Sequence, residues 1–375
     1  MAGSNRNLID WLSERLNLTE IVSLLTSYGL FYAELDTRKP LREALAEASS
    51  RPLPSYARWP RVLGLLAVVL LAVEFVTGCL ISLYYLPTVH SAHGSVATIL
   101  QDVTFGWLIH QVHFWGAQIL LAVLAVRVGR FFVQRTYRSP RELVWIFAVL
   151  LLLVGVHADL TGRLLPFTAG AYWSTIRALE VAASIPIYGS LVLFLAGAGQ
   201  AVVTDLTLIR FYVLHVAVLP LSALLLIYLH FSSVRRVGLS GEAPDPERAQ
   251  RGRSAVSNHL ANLAILLVLL IGALITLAVL APAPFHGPAD AFDTVTGIGP
   301  PWYLLAPFGF LELTAGVLPG WLAGSLLFLG ILAVLAVPYF DRAVGRRGRY
   351  RALLVVGVVL LVLWVLLSFY GATAA

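Results

Sequence analysis

Seven apolar runs, at about 62–86, 106–133, 143–165, 207–232, 259–281, 319–338 and 350–370, constrain this chain more than any other feature. A bilayer core of roughly 30 Å takes about twenty apolar residues of helix to cross, and lipid offers no partner to an unpaired backbone N–H or C=O. Each run is therefore expected to be a helix, and the fold class an all-α membrane protein. Composition agrees: the chain is 59% hydrophobic and 12% charged, with a mean hydropathy of +0.83. The formal charge of +6 does not signify nucleic acid, because the basic residues form no stripe interleaved with aromatics.

Topology accounts for the charge. Twenty-three Lys and Arg residues precede the first run or lie in or around the second, fourth and sixth connections, against three, Arg163, Arg177 and Arg210, on the other side. By the positive-inside bias the N-terminus is expected in the cytoplasm and the C-terminus outside, in a multi-pass cytoplasmic (inner) membrane protein. The polar N-terminus lacks the apolar run of a signal peptide, so insertion should rely on the later helices. Four segments follow: residues 1–61, whose LIDWLSERLNLTEIVSLL has the spacing of a helix lying on the membrane; a four-span bundle over 62–234; a cytoplasmic linker rich in Gly, Pro and charge over 235–258; and a three-span module over 259–375. Residues 167–206 read as a surface helical hairpin, and PPWYLLAPFGFLEL as an interfacial piece. The single cysteine, Cys79, is expected to be an inert core residue.

Histidines carry the chemistry. RFYVLHVAVLPLSALLLIYLH places His215 and His230 fifteen residues apart in a membrane-length segment, roughly 22 Å along a helix. His113, in the second run, lies at the same depth as His215 because both runs point inward. Facing imidazoles can hold a haem iron from both sides. A porphyrin also needs space between backbones, and Gly78 and Gly162 fall at the His113–His215 level, while Gly64, fourteen residues before Gly78, falls near the His230 level.

The stretches DWLSERL, TGCLISLYYLPTV, FGWLIHQVHFW, SPRELVW, TGRLLPF, IPIYGS, RFYVLHVAVLP and HFSSVRRVGLSG resemble the cytochrome b of quinol-oxidising bc and b6f complexes. PADAFDTVTGIGPPWYLLAPFGFLEL and AVPYFDR resemble the small subunit that completes the b6f type, subunit IV, so the resemblance implies two b6f chains fused in one. It implies a haem-binding four-helix bundle, with His113 and His215 as axial ligands of an outer haem b and His230 as one ligand of an inner haem. Quinone is the implied second ligand. A Rieske-type or other iron-sulfur protein, further redox subunits, the lipid bilayer and a second copy of the chain are the implied partners, with no role for nucleic acid.

The chain departs from the family in several places. The second inner ligand should lie fourteen residues after His113, where Arg127 stands. Guanidinium stays protonated and offers no lone pair to iron, and the third-run glycine of that level is Ala148. The inner haem is then absent, five-coordinate on His230, or completed by another group; absence is our expectation. Arg127 itself is either a cation snorkelling to the surface or a partner for an anion, propionate or quinone. Pro301 stands where the family's PEWY-type motif has a proton-accepting glutamate. His157 and Asp159 can substitute as catalytic proton acceptors, or can form a buried hydrogen-bonded pair or a haem-edge contact. His110 replaces an arginine that would neutralise propionates, and Glu74 occupies a position uncharged in the family, facing the haem or a proton path.

The expected function is a transmembrane haem b electron-transfer subunit of a quinone-linked respiratory or photosynthetic-type oxidoreductase complex. The alternative is a conventional Q-cycle cytochrome b with locally substituted ligands. A haem-poor scaffold would not need His113 and His215, and a transporter would show inverted repeats.

Overall fold

The computed structural model describes residues 18–26, 35–50, 62–196, 203–238, 256–290, 292, 297–341 and 347–374. Two short helices come first, α1 (Leu18–Thr26) and α2 (Leu41–Ser50). The spanning helices α3 (Val62–Ser82), α5 (Gly106–Val133) and α6 (Glu142–Leu164) follow, with a short α4 (Ala92–Gln101) between the first two. The hairpin α7 (Ala169–Ala183) and α8 (Tyr188–Ala196) leads to a fourth span made of α9 (Asp205–Val213), a π-helical turn over Leu214–Val218, and α10 (Leu219–Val237). The C-terminal part holds α11 (Val256–Leu280), a 3₁₀ turn at Trp302–Leu304 running into α12 (Leu305–Thr314), α13 (Gly320–Phe340) and α14 (Arg347–Ala374). Among the described residues seven helices are long and apolar enough to cross a membrane, and the only β pairing is an isolated bridge between Thr168 and Pro288.

Helix α3 packs on α5, α5 on α6, and α6 on α10; α11 then leans on α5 and α13 on α6. The first apolar run ends at Ser82 rather than at 86. Pro87 disfavours helix in the residue before it, and the Tyr85 hydroxyl donates to the Leu165 carbonyl at 2.8 Å, pulling the chain over the end of α6. Cys79 corrects our expectation: it is exposed on the outer face of α3, because the inner face is taken by Gly78 and Thr77. The corner between α7 and α8 is tight enough that a Cβ on Gly189 would stand 2.6 Å from the Ala182 carbonyl oxygen.

Of the proposed surface helix near the N-terminus, 8–17 lie outside the described residues. The part that is described, α1, is tied to the bundle by Glu20, which pairs with Arg235 at 3.5 Å, and to the segment before α2 by Thr19, which donates to the Lys39 carbonyl at 3.2 Å. The final span, α14, packs mainly on α12, where Gly309 and Gly371 let the backbones meet; a Cβ on Gly309 would lie 2.9 Å from the Gly371 nitrogen. Small residues of this kind replace the missing hydrophobic drive between helices in lipid.

The C-terminal part is tied to the N-terminal bundle by buried polar contacts. Asp341, just past α13 and 3% exposed, accepts from Arg135 Nε at 2.9 Å and Nη2 at 2.7 Å and from the Tyr137 hydroxyl at 3.2 Å. Burial first, and then this carboxylate, push the Tyr137 phenol up to about 12. Trp145 Nε1 donates to the Val334 carbonyl at 2.8 Å. Removing one partner of a buried pair leaves the other uncompensated, so Asp341→Ala should cost roughly 3–5 kcal/mol, seen as a lower Tm of the purified protein in detergent. Glu180→Ala, which breaks the exposed pair with Arg177, should cost less than about 1 kcal/mol in the same measurement.

Candidate functional site

Two histidine levels lie inside the four-span bundle, and they are built differently. At the first, His113 of α5 and His215 of the π-helical turn bring their ring centres to 6.0 Å, with planes at 83°. A single metal atom about 2 Å from each nitrogen would hold two imidazoles at about this separation. His215 Nδ1 lies 2.9 Å from the Ala158 carbonyl, which can only accept, so Nδ1 carries the proton and Nε2 keeps its lone pair. His113 Nδ1 lies 2.9 Å from Thr77 Oγ1 and 3.0 Å from Glu74 Oε2, which directs its Nε2 in the same way.

A glycine of the neighbouring helix lies against each ring, Gly78 of α3 against His113 and Gly162 of α6 against His215. A Cβ on Gly78 would stand 3.2 Å from His113 Cε1, and one on Gly162 would run into the His215 ring, 2.8 Å from Nδ1. The π-helical turn follows from Pro220. Its ring has no N–H and crowds the carbonyl four residues back, and the adjacent Leu219 N–H bonds five residues back, to Leu214. That wide turn points His215 at Gly162. Among the described residues no three His, Cys, Asp or Glu side chains group to hold a bare metal ion. Two half-buried imidazoles with free Nε2 atoms, between glycine-lined backbones, suit a metal that brings its own equatorial ligands, as haem does. His110, one turn from His113, has a buried Nδ1 without a hydrogen-bond partner.

At the second level the residues do not fit a haem. The Arg127 Nη2–H donates to His230 Nε2 at 2.7 Å, using the lone pair that iron would need. Its guanidinium also fills the cleft beside Gly64, whose Cβ would lie 3.3 Å from Nη1. The cation does not snorkel to the surface: its Cζ sits 5.2 Å over the Phe131 ring, which stacks on His230 at 6.3 Å and 10°. Ala148 is buried, 3% exposed. Arginine bends inward here because imidazole and an aromatic face are the partners within reach of a cation in this helix.

A third cluster joins the two parts of the chain. Asp159 accepts from Gln118 Nε2 at 2.6 Å, from Arg163 Nη2 at 2.8 Å and from the Tyr303 hydroxyl at 2.7 Å, and Trp302 Nε1 donates to Gln118 Oε1 at 2.9 Å. Tyr303 is held far above the usual phenol range, by burial first and the Asp159 carboxylate second, so it stays a donor at physiological pH. His157 does not join this cluster or pair with Asp159. Two residues apart on a helix, they point about 200° from each other, and His157 Nε2 meets the Tyr188 hydroxyl of α8 at 2.6 Å while its Nδ1 bonds the Leu153 carbonyl at 2.7 Å. The sequence reading missed Gln118, Arg163 and Tyr188; an amide inside the apolar second run was the available signal for Gln118.

Residues 48–238 match the family described as Cytochrome b/b6/petB, and residues 288–375 that described as Cytochrome b(C-terminal)/b6/petD. The chain is 32% identical over 241 residues to a cytochrome b6 of Prochlorococcus marinus strain MIT 9215, covering 64% of this chain and 99% of that protein. A second, from strain MIT 9303, is 33% identical over 217 residues, 58% of this chain and 99% of the relative. A solved structure described as "Hyperthermophilic respiratory Complex III" is similar with a TM-score of 0.74 and 25% identity, over 97% of this chain and 91% of that one.

The glycine clefts yield a direct test. Gly162→Val places a branched side chain where the His215 ring and any macrocycle must lie, and should leave a membrane-inserted protein without b-type absorbance. Gly330→Val, at a glycine with open space around it, should keep the wild-type spectrum.

Proposed function

The chain belongs to the cytochrome b family, its b6-like and subunit IV-like parts fused in one polypeptide, and from that premise we propose that it carries electrons through a single haem b held between His113 and His215. It is an integral membrane, haem-binding electron-transfer subunit of a quinone-linked complex with other redox subunits. The observation that carries the one-haem reading is the 2.7 Å hydrogen bond from Arg127 to His230 inside the Gly64 cleft.

When bound, a haem b supplies a one-electron store whose iron alternates between ferric and ferrous. The chain's residues hold and surround it: His113 and His215 through Nε2, Gly78 and Gly162 by leaving room, and His110 as a donor near the edge. At the inner level the Arg127 Nη2–H takes up the Nε2 lone pair of His230, which leaves no second iron site and no two-haem path across the membrane. The chain therefore serves an outer-facing quinone reaction, with a Rieske-type or other iron-sulfur protein as electron partner and a homodimer as the assembly. Its N-terminus is cytoplasmic and its C-terminus outside, following the basic residues.

Quinol oxidation releases two protons as the electrons leave. We assign Asp159 as the acceptor that replaces the missing carboxylate of the PPWY motif, because its oxygen is hydrogen-bonded to Tyr303 of that motif. In this respect the alternative reading, a locally substituted bc-type site, is favoured at the quinol pocket though not at the inner haem. His157 lies on the other face of α6 and acts with Tyr188 rather than with Asp159.

A pyridine haemochrome assay on the purified protein should give about one haem per chain; two bis-histidine haems would reject the reading. The double variant Arg127→His with Ala148→Gly restores the family's ligand and clearance at the inner level, and should raise the haem content towards two. Asp159→Asn should keep the b-type spectrum while slowing quinol-driven haem reduction on the order of 100-fold. An unchanged rate would remove Asp159 from the proton path.

A further inference from the structure

Glu74 is an acid in the middle of the first span. Its side chain is 12% exposed, one turn before Gly78 on the same face of α3. Oε2 lies 3.0 Å from His113 Nδ1. Oε1 is buried without a hydrogen-bond partner and lies against Gly116 of α5, where any Cβ would collide with it. The carboxylate is thus seated by design of both helices: Gly116 makes room, and Thr77 shares the Nδ1 proton at 2.9 Å. No Lys or Arg pairs with it among the described residues, and the His113 imidazole is the polar group it meets.

We propose that Glu74 is a positioning and tuning residue for the outer haem, holding His113 through a carboxylate–imidazole hydrogen bond that makes Nε2 a stronger donor and lowers the reduction potential. The inference rests on the bis-histidine reading above. A carboxylate on the non-ligating nitrogen raises ligand basicity. A more basic ligand favours the ferric state, whose core carries one more positive charge. Reduction adds one electron from the titrant to the iron, and the hydrogen bond need not break.

The experiment is a dithionite redox titration of the purified, haem-loaded chain, with low-spin ferric EPR recorded alongside. E74Q keeps the shape and loses the carboxylate. It should shift the equilibrium at least threefold towards the reduced haem, about 28 mV at 59 mV per tenfold for one electron, and move the EPR g-values. A smaller or opposite shift with the bis-imidazole spectrum retained would overturn the proposal. Thr77→Val removes the neutral partner alone and should shift the potential less; an equal or larger shift would mean that packing is being read, and would overturn it too. If E74Q loses haem, E74D decides: haem retained supports the carboxylate, and haem lost in both assigns Glu74 to packing. A wild-type chain with no b-type haem would refute the bis-histidine reading itself, an outcome distinct from haem with an insensitive potential.

Discussion

An imidazole facing a glycine across a helix interface is the contact on which the rest of this structure depends. A flat macrocycle cannot enter a bundle packed side chain to side chain, because interiors are filled to crystal-like density. At the His113–His215 level α3 and α6 each set a glycine, Gly78 and Gly162, against the rings that α5 and the fourth span project. The hydrogen bonds behind those rings, to Thr77, Glu74 and the Ala158 carbonyl, fix each tautomer and leave Nε2 free. The π-helical turn ahead of Pro220 completes the arrangement by turning His215 towards Gly162.

One helix segment away the same ingredients lead elsewhere. His230 and Gly64 are present, yet a guanidinium lies between them. Arg127 occupies the cleft, caps the His230 imidazole and lies over the Phe131 ring. A vacant apolar cleft would be costly in a membrane bundle, since its walls lose packing contacts outright. Filling it with a cation is tolerable only because imidazole and ring face both answer the charge.

The fused C-terminal part is held where chemistry needs it. Asp341 anchors α13 at one end of the bundle through Arg135 and Tyr137. At the other end Trp302 and Tyr303 reach Gln118 and Asp159. The PPWY stretch is thereby joined to a carboxylate from a different helix, by a contact more than a hundred residues away in sequence.

What the sequence determined by itself is the local and the periodic. Lipid forces helices, so the spans were legible from apolar runs, and constant helical rise set the two histidine depths; that a ligand is expected where Arg127 stands came from the resemblance to the cytochrome b family. The first span's end at Ser82 and the lipid-facing position of Cys79 were not legible, because they depend on Tyr85 reaching Leu165 and on which face of α3 meets α5. Tertiary structure alone decided that Arg127 turns inward, that Asp159 and His157 part to opposite faces, and that Glu74 grips His113 while Gly116 makes way. Side-chain direction is a choice among rotamers, and the choice is made by partners contributed from helices remote in the chain, which no window of the sequence contains.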